Sequence, residues 1–551
     1  MVTSGGIADL DPALNRFPSG FPAMPGGRPP EVFLLGVGGV AMASLAGLMK
    51  DWGCSVSGAD EGLYPPMRDL IEELGIPVHL GYGEDALAGS PDLVVVGNVV
   101  TRSFPVAAEL LRRKIPYVSL PQALEGMILG RTRNLVVSGC HGKTTLTALS
   151  AHLLSSGGLD PGYLVGGAAL GFPRPFAPGG GRIFVIEGDE YDCAFFDKRP
   201  KFVHYRPHTA ILTSVEFDHA DIYPDLDSVV SAYRTLAELV PPDGLLVANG
   251  DDPLCAEVAR SCRGRVELYG ESAACRWKLG SFRARGFSSE FTVDGPGGLE
   301  LRLRWPRIGR YNALGACAAV AAVADMGLDP RTLAEAFASF RGVRRRQEPL
   351  YNGWAQEGEG AESRLPEDAG PGSAVAGRRG PAGPAGSGSG RADGSVRARP
   401  GPRGVTVVDD FAHHPTAVAK TLGALKEAFP ERRLVCAFEP RSNTSRRTVF
   451  QDAYPEAFRA ADRVLLSGVD RPEKAPEGDR LDLPRLRADI GPGAVLCPDP
   501  DAVFREAVSG ALPGDLFCVM SNGAFGGLAA RLAAFFGSRA PGGPGPEPVG
   551  L

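Results

Sequence analysis

The sequence predicts an α/β protein of three units in series, the middle one a mixed sheet with a small antiparallel appendage. Three observations predict it. Apolar runs of strand length alternate with stretches of helical period from residue 31 onward, the mark of buried parallel strands covered by helices. Glycine-rich turns stand twice between a strand-like run and a helical one, at "GVGGVA" (36–41) and "GCHGKTT" (139–145). The strands also end in polar loops, the edge at which open α/β sheets bind ligands.

The first unit spans 31–129. "EVFLL" is a buried strand, "AMASLAGLMKDWG" a helix closed by glycine, and "CSVSGAD" and "DLVVVGN" are further strands. The second spans 130–342. "NLVVSG" leads into the second glycine turn, and "RIFVIEGDE" and "HTAILTSVEFDHAD" are buried strands ending in acidic loops. "SVVSAYRTLAELV" is a helix and "GLLVANGDD" a strand. Short alternating segments from 265 to 305, such as "SSEFTVD" and "LELRLRW", make the antiparallel appendage. "NALGACAAVAAVADMG" is a helix of small residues. The third unit spans 343–536, with strands at "GVTVVDD", "RLVCAFE", "RVLLSG" and "DLFCVMS".

Glycine (73) and proline (48) concentrate in residues 1–30, 353–404 and from 537 onward. These stretches hold too little aliphatic surface to offset the entropy of ordering. They are expected as two disordered tails and a disordered insertion.

The chain has 551 residues, 44% hydrophobic and 22% charged, with a net charge of -6. That balance argues against nucleic acid as a partner. No apolar run is long enough to span a bilayer, and the first 30 residues lack a basic start and an apolar h-region, so no membrane or export route is expected. Ten cysteines without C-x-x-C pairs suit reduced thiols in the cytoplasm.

Six groups of residues are candidates to carry chemistry. Gly36, Gly38 and Gly39 follow a strand, and Asp60 ends the next strand, the arrangement of a nucleotide or nucleotide-sugar site. A tight turn in a glycine-rich chain is the plainer reading. "GCHGKTT" is shorter than the usual phosphate loop, yet it also joins a strand to a helix. Its N–H groups suit phosphate oxygens, Lys143 the outer phosphates and Thr144 a Mg²⁺ ion. Glu187 and Glu190 end the next strand, where one carboxylate suits the metal. Asp218, His219 and Asp221 close another strand, and Arg344–Glu348 and Asp409–Thr416 flank the insertion.

On these residues the chain resembles the Mur ligase superfamily, ATP-dependent amide ligases of peptidoglycan metabolism, which use a compact G-T-x-G-K-[ST]-T loop. Cys140 stands where that loop usually has threonine. The stretches "EGDEYDCAFFDKRPKFVHYRPHTAILTSVEFDHADIY", "VVDDFAHHPTA", "FEPRSNT" and "MSNGAFGG" resemble the subgroup that recycles murein tripeptide. The resemblance covers about 31–535. It implies Rossmann-like first and third domains around a central ATPase-type domain. Gly36, Gly38, Gly39 and Asp60 would hold UDP. Gly139, His141, Gly142, Lys143, Thr144 and Thr145 would hold the phosphates of ATP, with Thr144, Glu187 and His219 on Mg²⁺. Asn312 would lie near adenine, and Arg346 and Asp410 would close over the nucleotide. Lys143, Glu187, His219 and Arg346 would carry the chemistry, and Arg471 would meet the diaminopimelate end of the acceptor. Two departures stand out: Tyr311 replaces a usual histidine, and Gly188 replaces alanine, adding backbone freedom beside a metal ligand. The substrates implied are UDP-N-acetylmuramate and the tripeptide L-Ala-γ-D-Glu-meso-diaminopimelate. Rival readings are an L-alanine-adding ligase, a nucleotide-switch NTPase, and a dehydrogenase built on Gly36–Asp60.

Overall fold

The computed structural model describes residues 11–18, 21, 27–87, 89–353 and 404–538. Three sheets follow one another along the chain, as the alternating pattern requires. In the first, all strands are parallel, in the order 78–80, 55–60, 31–35, 93–96, 117–119. The order reverses at Glu31–Leu35, so a crevice opens beyond its carboxyl end. The GVGGVA turn occupies that crevice. Gly36 takes φ +85, which a side chain would strain, and its N–H donates to the Ala59 carbonyl at 2.8 Å.

The second sheet has ten strands. Arg133–Ser138 lies between Ile183–Gly188 and Pro207–Leu212, parallel to both. Three adjacent strands therefore deliver their carboxyl-end loops to one place. Behind them, helix Lys143–Ser156 packs on helix Arg310–Asp325. The small side chains of the second helix permit this closeness. A methyl group at Gly315 would come within 2.9 Å of Leu146.

The appendage departs from expectation. Arg265–Gly270 is a parallel strand of the main sheet, and the antiparallel part starts at Trp277–Arg285, continuing through Ser288–Gly295 and Leu299–Trp305. These extend the same ten-stranded sheet rather than forming a separate layer. Gly188 also departs. It lies in a strand, and what it supplies is room: an added Cβ would sit 1.9 Å from Ser138 Oγ, which donates to the Gly188 carbonyl.

The third sheet runs 348–352, 406–410, 516–520, 434–438, 463–467, 494–497, parallel except for the first strand. Asn352 pairs with Thr406, so the ends of the insertion meet in a ladder. Its residues 354–403 lie outside the described residues, as do 539–551. Part of the expected N-terminal tail is packed instead. Phe21 is buried against Phe17, and the Leu14 carbonyl accepts from the Tyr117 N–H at 2.9 Å. The last helix ends at Gly537. The link to the third sheet is still bonded to the second: Leu170 N–H donates to Gly342 O, and Arg344 N–H to Ala168 O. The third sheet's hydrogen bonding thus begins about five residues later than position 343. No helix among the described residues is long and apolar enough to cross a membrane.

Candidate active site

One cavity of about 490 Å³ is lined from all three sheets. Val40 and Ala41 come from the first, the phosphate loop, Glu187 and His219 from the second, and Asp410–His414 from the third.

The floor is the turn after Arg133–Ser138. Gly139 and Gly142 have φ +120 and +82, and no side chain fits at Gly139, where a Cβ would lie 2.2 Å from Thr213 Oγ1. The helix begins at Lys143, so its free N–H groups and positive end face the cavity. Lys143 Nζ donates to the Gly139 carbonyl at 2.8 Å and to both oxygens of Glu190, at 3.0 and 2.9 Å. Burial opposes its charge, but Glu190 and Asp189 outweigh that, and its pKa rises above the usual lysine range. Glu190 is buried too, yet Lys143 and then His219 hold its carboxyl below the usual range. His219 Nε2 lies 2.9 Å from Glu190 Oε1. The His219 pKa rises because that carboxylate outweighs the cost of burial.

Thr144 Oγ1 donates to Glu187 Oε2 at 3.1 Å. Burial pushes the Glu187 pKa up, against the Gly166 N–H and the charge of Arg346. These two hard oxygens suit Mg²⁺, since adjacent ligands of an octahedral ion lie about 2.9 Å apart. His219 is not with them. Its imidazole is committed to Glu190, so the structure gathers two of the three expected metal ligands and pairs the third elsewhere.

The roof comes from the link and the third sheet. Arg346 Nη2 donates to Thr144 Oγ1 at 3.3 Å, and its guanidinium stacks over the Phe411 ring at 4.6 Å. Burial lowers its pKa, against Asp410 and Glu187. Asp410 accepts from the Gln347 and Ala412 N–H groups at 2.7 and 2.8 Å. Asn312 donates to the Ile308 carbonyl and to Gln347 Oε1, and Tyr311 lines the cavity beside it. Beneath the link lies Arg307, which is 5% exposed and donates to the carbonyls of Val343 and Arg346. The third sheet is drawn onto the second by Thr444 Oγ1 to Asp218 Oδ1 at 3.0 Å and Thr416 Oγ1 to Glu216 Oε2 at 2.5 Å.

At the first sheet, Asp60 Oδ2 accepts from the Gly38 N–H at 2.8 Å. The carboxylate braces the turn. Arg471 is exposed, at φ +50, and is not among the residues that line the cavity. Asp189, Tyr191 and Arg307 were not singled out as site residues from sequence, and Glu190, weighed beside Glu187 for the metal, is instead the partner of Lys143. The acid-rich "EGDEYD" was the available signal for Asp189 and Tyr191. Nothing in the chain text signals Arg307, whose role comes from its fit beneath the link.

A short phosphate loop at a sheet crevice, roofed by a further sheet across a cavity that reaches a second nucleotide-type turn, is the constellation of a nucleotide-dependent ligase. Comparison with known proteins makes the class particular. The family description "Mur ligase family, catalytic domain" matches residues 31–132, "Mur ligase middle domain" 137–323, and "Mur ligase, glutamate ligase domain" 396–523. The UDP-N-acetylmuramate–L-alanyl-γ-D-glutamyl-meso-2,6-diaminoheptandioate ligase of Escherichia coli is 35% identical, over 91% of this chain and 97% of its own. The UDP-N-acetylmuramate–L-alanine ligase of Thermobifida fusca is 30% identical, over 92% and 97%. The crystal structure of a murein peptide ligase from Psychrobacter arcticus superposes with a TM-score of 0.65 at 29% identity, covering 92% of this chain and 98% of that one. The chain belongs to the Mur ligase family, and like its members it is an ATP-dependent amide-bond ligase.

Proposed function

We propose that the protein joins the lactyl carboxylate of UDP-N-acetylmuramate to the amine of L-Ala-γ-D-Glu-meso-diaminopimelate. The observation that carries this is one cavity lined by the loops of all three sheets, because ATP and the amine must both reach one carboxyl group of the third substrate. The similarity to the E. coli tripeptide ligase supports the choice of acceptor.

In this reading the GVGGVA turn, braced by Asp60, binds the UDP end. The phosphate loop binds ATP, and Lys143 neutralises the γ-phosphoryl group as it passes to the lactyl oxygen. Glu190 and His219 keep Lys143 charged and placed. Thr144 and Glu187 would hold Mg²⁺, which when bound neutralises charge on the phosphate oxygens. Arg346 faces the same oxygens from above, and Phe411 and Tyr311 keep water out. The amine then attacks the acyl phosphate, the C–N bond forms and inorganic phosphate leaves. Arg471, exposed on the loop after Arg463–Ser467, is the proposed contact for the distal carboxylate of the acceptor.

A second reading has free L-alanine as acceptor, favoured by the T. fusca relative. Phosphate release is measured with ATP and Mg²⁺ while UDP-N-acetylmuramate, tripeptide or L-alanine is omitted in turn. Release that needs the sugar nucleotide and the tripeptide, with the product mass to match, supports the proposal. Release with L-alanine in place of the tripeptide transfers the protein to the second reading. Release with ATP alone refutes both.

A further inference from the structure

At the phosphate loop two imidazoles and a carboxylate converge, and the ligation reading uses only the backbone of one of them and neither of the other two. His141 comes from the loop itself, Glu216 from the turn after Pro207–Leu212, and His414 from the N-cap of the third sheet's helix Pro415–Ala428. One ligand atom from each lies within 4.8 Å of the other two. His141 Nε2 is 3.4 Å from Glu216 Oε2, and His414 Nδ1 is 3.7 Å from the same oxygen. Adjacent ligands of a tetrahedral Zn²⁺ ion are separated by about 3.3 Å, given bonds of about 2.0 Å.

Three further observations point to an ion. His141 Nε2 is shielded from solvent and makes no hydrogen bond of good geometry, only the 3.4 Å contact with Glu216 Oε2, and an ion shared between the two would satisfy both. His414 Nε2 donates to the Phe217 carbonyl at 3.3 Å, so its Nδ1 carries the lone pair. Metal-bound histidines are held in this way, with the far nitrogen on a backbone carbonyl. Glu216 in turn is fixed by the Thr416 hydroxyl at 2.5 Å. The Nδ1 lone pair now accepts the Thr416 N–H at 3.2 Å, a single capping bond at the helix start that a bound ion would displace.

We infer that His141, Glu216 and His414 form a binding site for a borderline divalent cation such as Zn²⁺, bridging the phosphate loop and the third sheet. Its donors set it apart from Thr144 and Glu187, because imidazole selects zinc-type ions and oxygen donors select Mg²⁺. The other cluster of this kind among the described residues, Cys193, Asp197 and His204, does not qualify. Both ring nitrogens of His204 are taken by carboxylates, Glu125 at 3.1 Å and Asp197 at 2.8 Å, and leave no lone pair for an ion.

The test is titration of the full chain with Co²⁺, read by its visible d–d bands and displaced by Zn²⁺. One tetrahedral ion per chain with nitrogen and oxygen ligands is expected, bound in the micromolar range or tighter. His414→Ala should lose it, and Thr416→Val, which removes only the outer-shell hydroxyl, should weaken it about tenfold. Glu216→Gln is the second ligand variant if His414→Ala loses its far-UV circular dichroism. Absence of micromolar binding, a thiolate charge-transfer band, or binding indifferent to His414→Ala and Glu216→Gln in folded protein would each overturn the assignment.

Discussion

Lys143 and Glu190 form a buried ion pair at the floor of the cavity, with Nζ 2.9 Å from Oε2, and His219 holds the other oxygen of the same carboxylate. The phosphate-loop ammonium is therefore aimed by an acid from the neighbouring strand. Charge on both partners is what the low-polarity floor requires.

The first prediction tests this pair. Lys143→Met should lower kcat for the proposed ligation by about 10²–10³, the size seen when one preorganised charge is removed. Glu190→Gln leaves Lys143 buried beside a neutral amide. It should cost at least about tenfold in kcat and lower thermal stability as well, because one half of a buried pair remains. Steady-state kinetics and melting curves on both variants check it. Full activity in Glu190→Gln would remove Glu190 from the mechanism.

A second prediction concerns pH. His204, between Asp197 and Glu125, has a pKa of about 11: burial opposes its charge, but the two carboxylates and Cys193 outweigh that. A raised folded pKa stabilises below the unfolded value, about 6.5, and the gain fades as pH rises toward the folded value. The stability advantage of wild type over His204→Gln should therefore be full at pH 6 and shrink by up to about 1.4 kcal/mol per pH unit above 6.5. Urea unfolding of both proteins from about pH 6 to 9.5 reads it. A constant difference across that range contradicts the bracketed imidazolium.

Gly188 supplies the third. With Ser138 Oγ only 1.9 Å from where a Cβ would lie, Gly188→Ala should destabilise by about 1–3 kcal/mol through overpacking. Adding Ser138→Ala should recover part of that, so the two changes are non-additive. Additive losses in chemical denaturation would show that backbone conformation, and not room, selects glycine here.

Residues 355–402 supply the fourth. The Asn352–Thr406 pairing closes the ladder on either side of the insertion. Lengthening a surface loop costs little once its ends are fixed. Replacing 355–402 with a short Gly-Ser turn should leave the ligation rate within about twofold and the melting temperature unchanged or higher. Loss of ligation in a well-folded deletion protein gives the segment a role in turnover.

The sheets were legible because buried parallel strands write themselves as apolar runs, and both glycine turns because only strand–turn–helix junctions place glycine that way. The phosphate loop followed from that placement, whereas the choice of Glu187 over Glu190 and the part given to Asp410 came from the resemblance to the Mur ligases. What escaped depends on contacts across the fold. The pairing of His219 with Glu190 rather than Glu187 is decided by side-chain reach over 29 residues. The hairpin of Asp192–Ala194 with Asp197–Pro200 is too short for a periodicity signal. The parallel pairing of Arg265–Gly270 is a choice of neighbour that alternation cannot report.

Arg307 sits like a rivet through the link. A Cβ at Gly342 would lie 1.6 Å from its Nη2, and its guanidinium grips the carbonyls of Val343 and Arg346. On either side of Arg346, Arg345 and Gln347 have φ +58 and +50 and tie the link to the third sheet, Arg345 through Asp409 and the Ser521 carbonyl and Gln347 through Asp410. The backbone of Val343 and Arg346 is thus riveted to the second sheet, while Phe411, stacked on the Arg346 guanidinium, belongs to the third. The positive charge above the phosphate loop is then a fixture of the ATP side, and a swing of the third sheet would leave it in place. Paired spin labels would show this as a steady distance between positions near 150 and 344 and a changing one between 150 and 420.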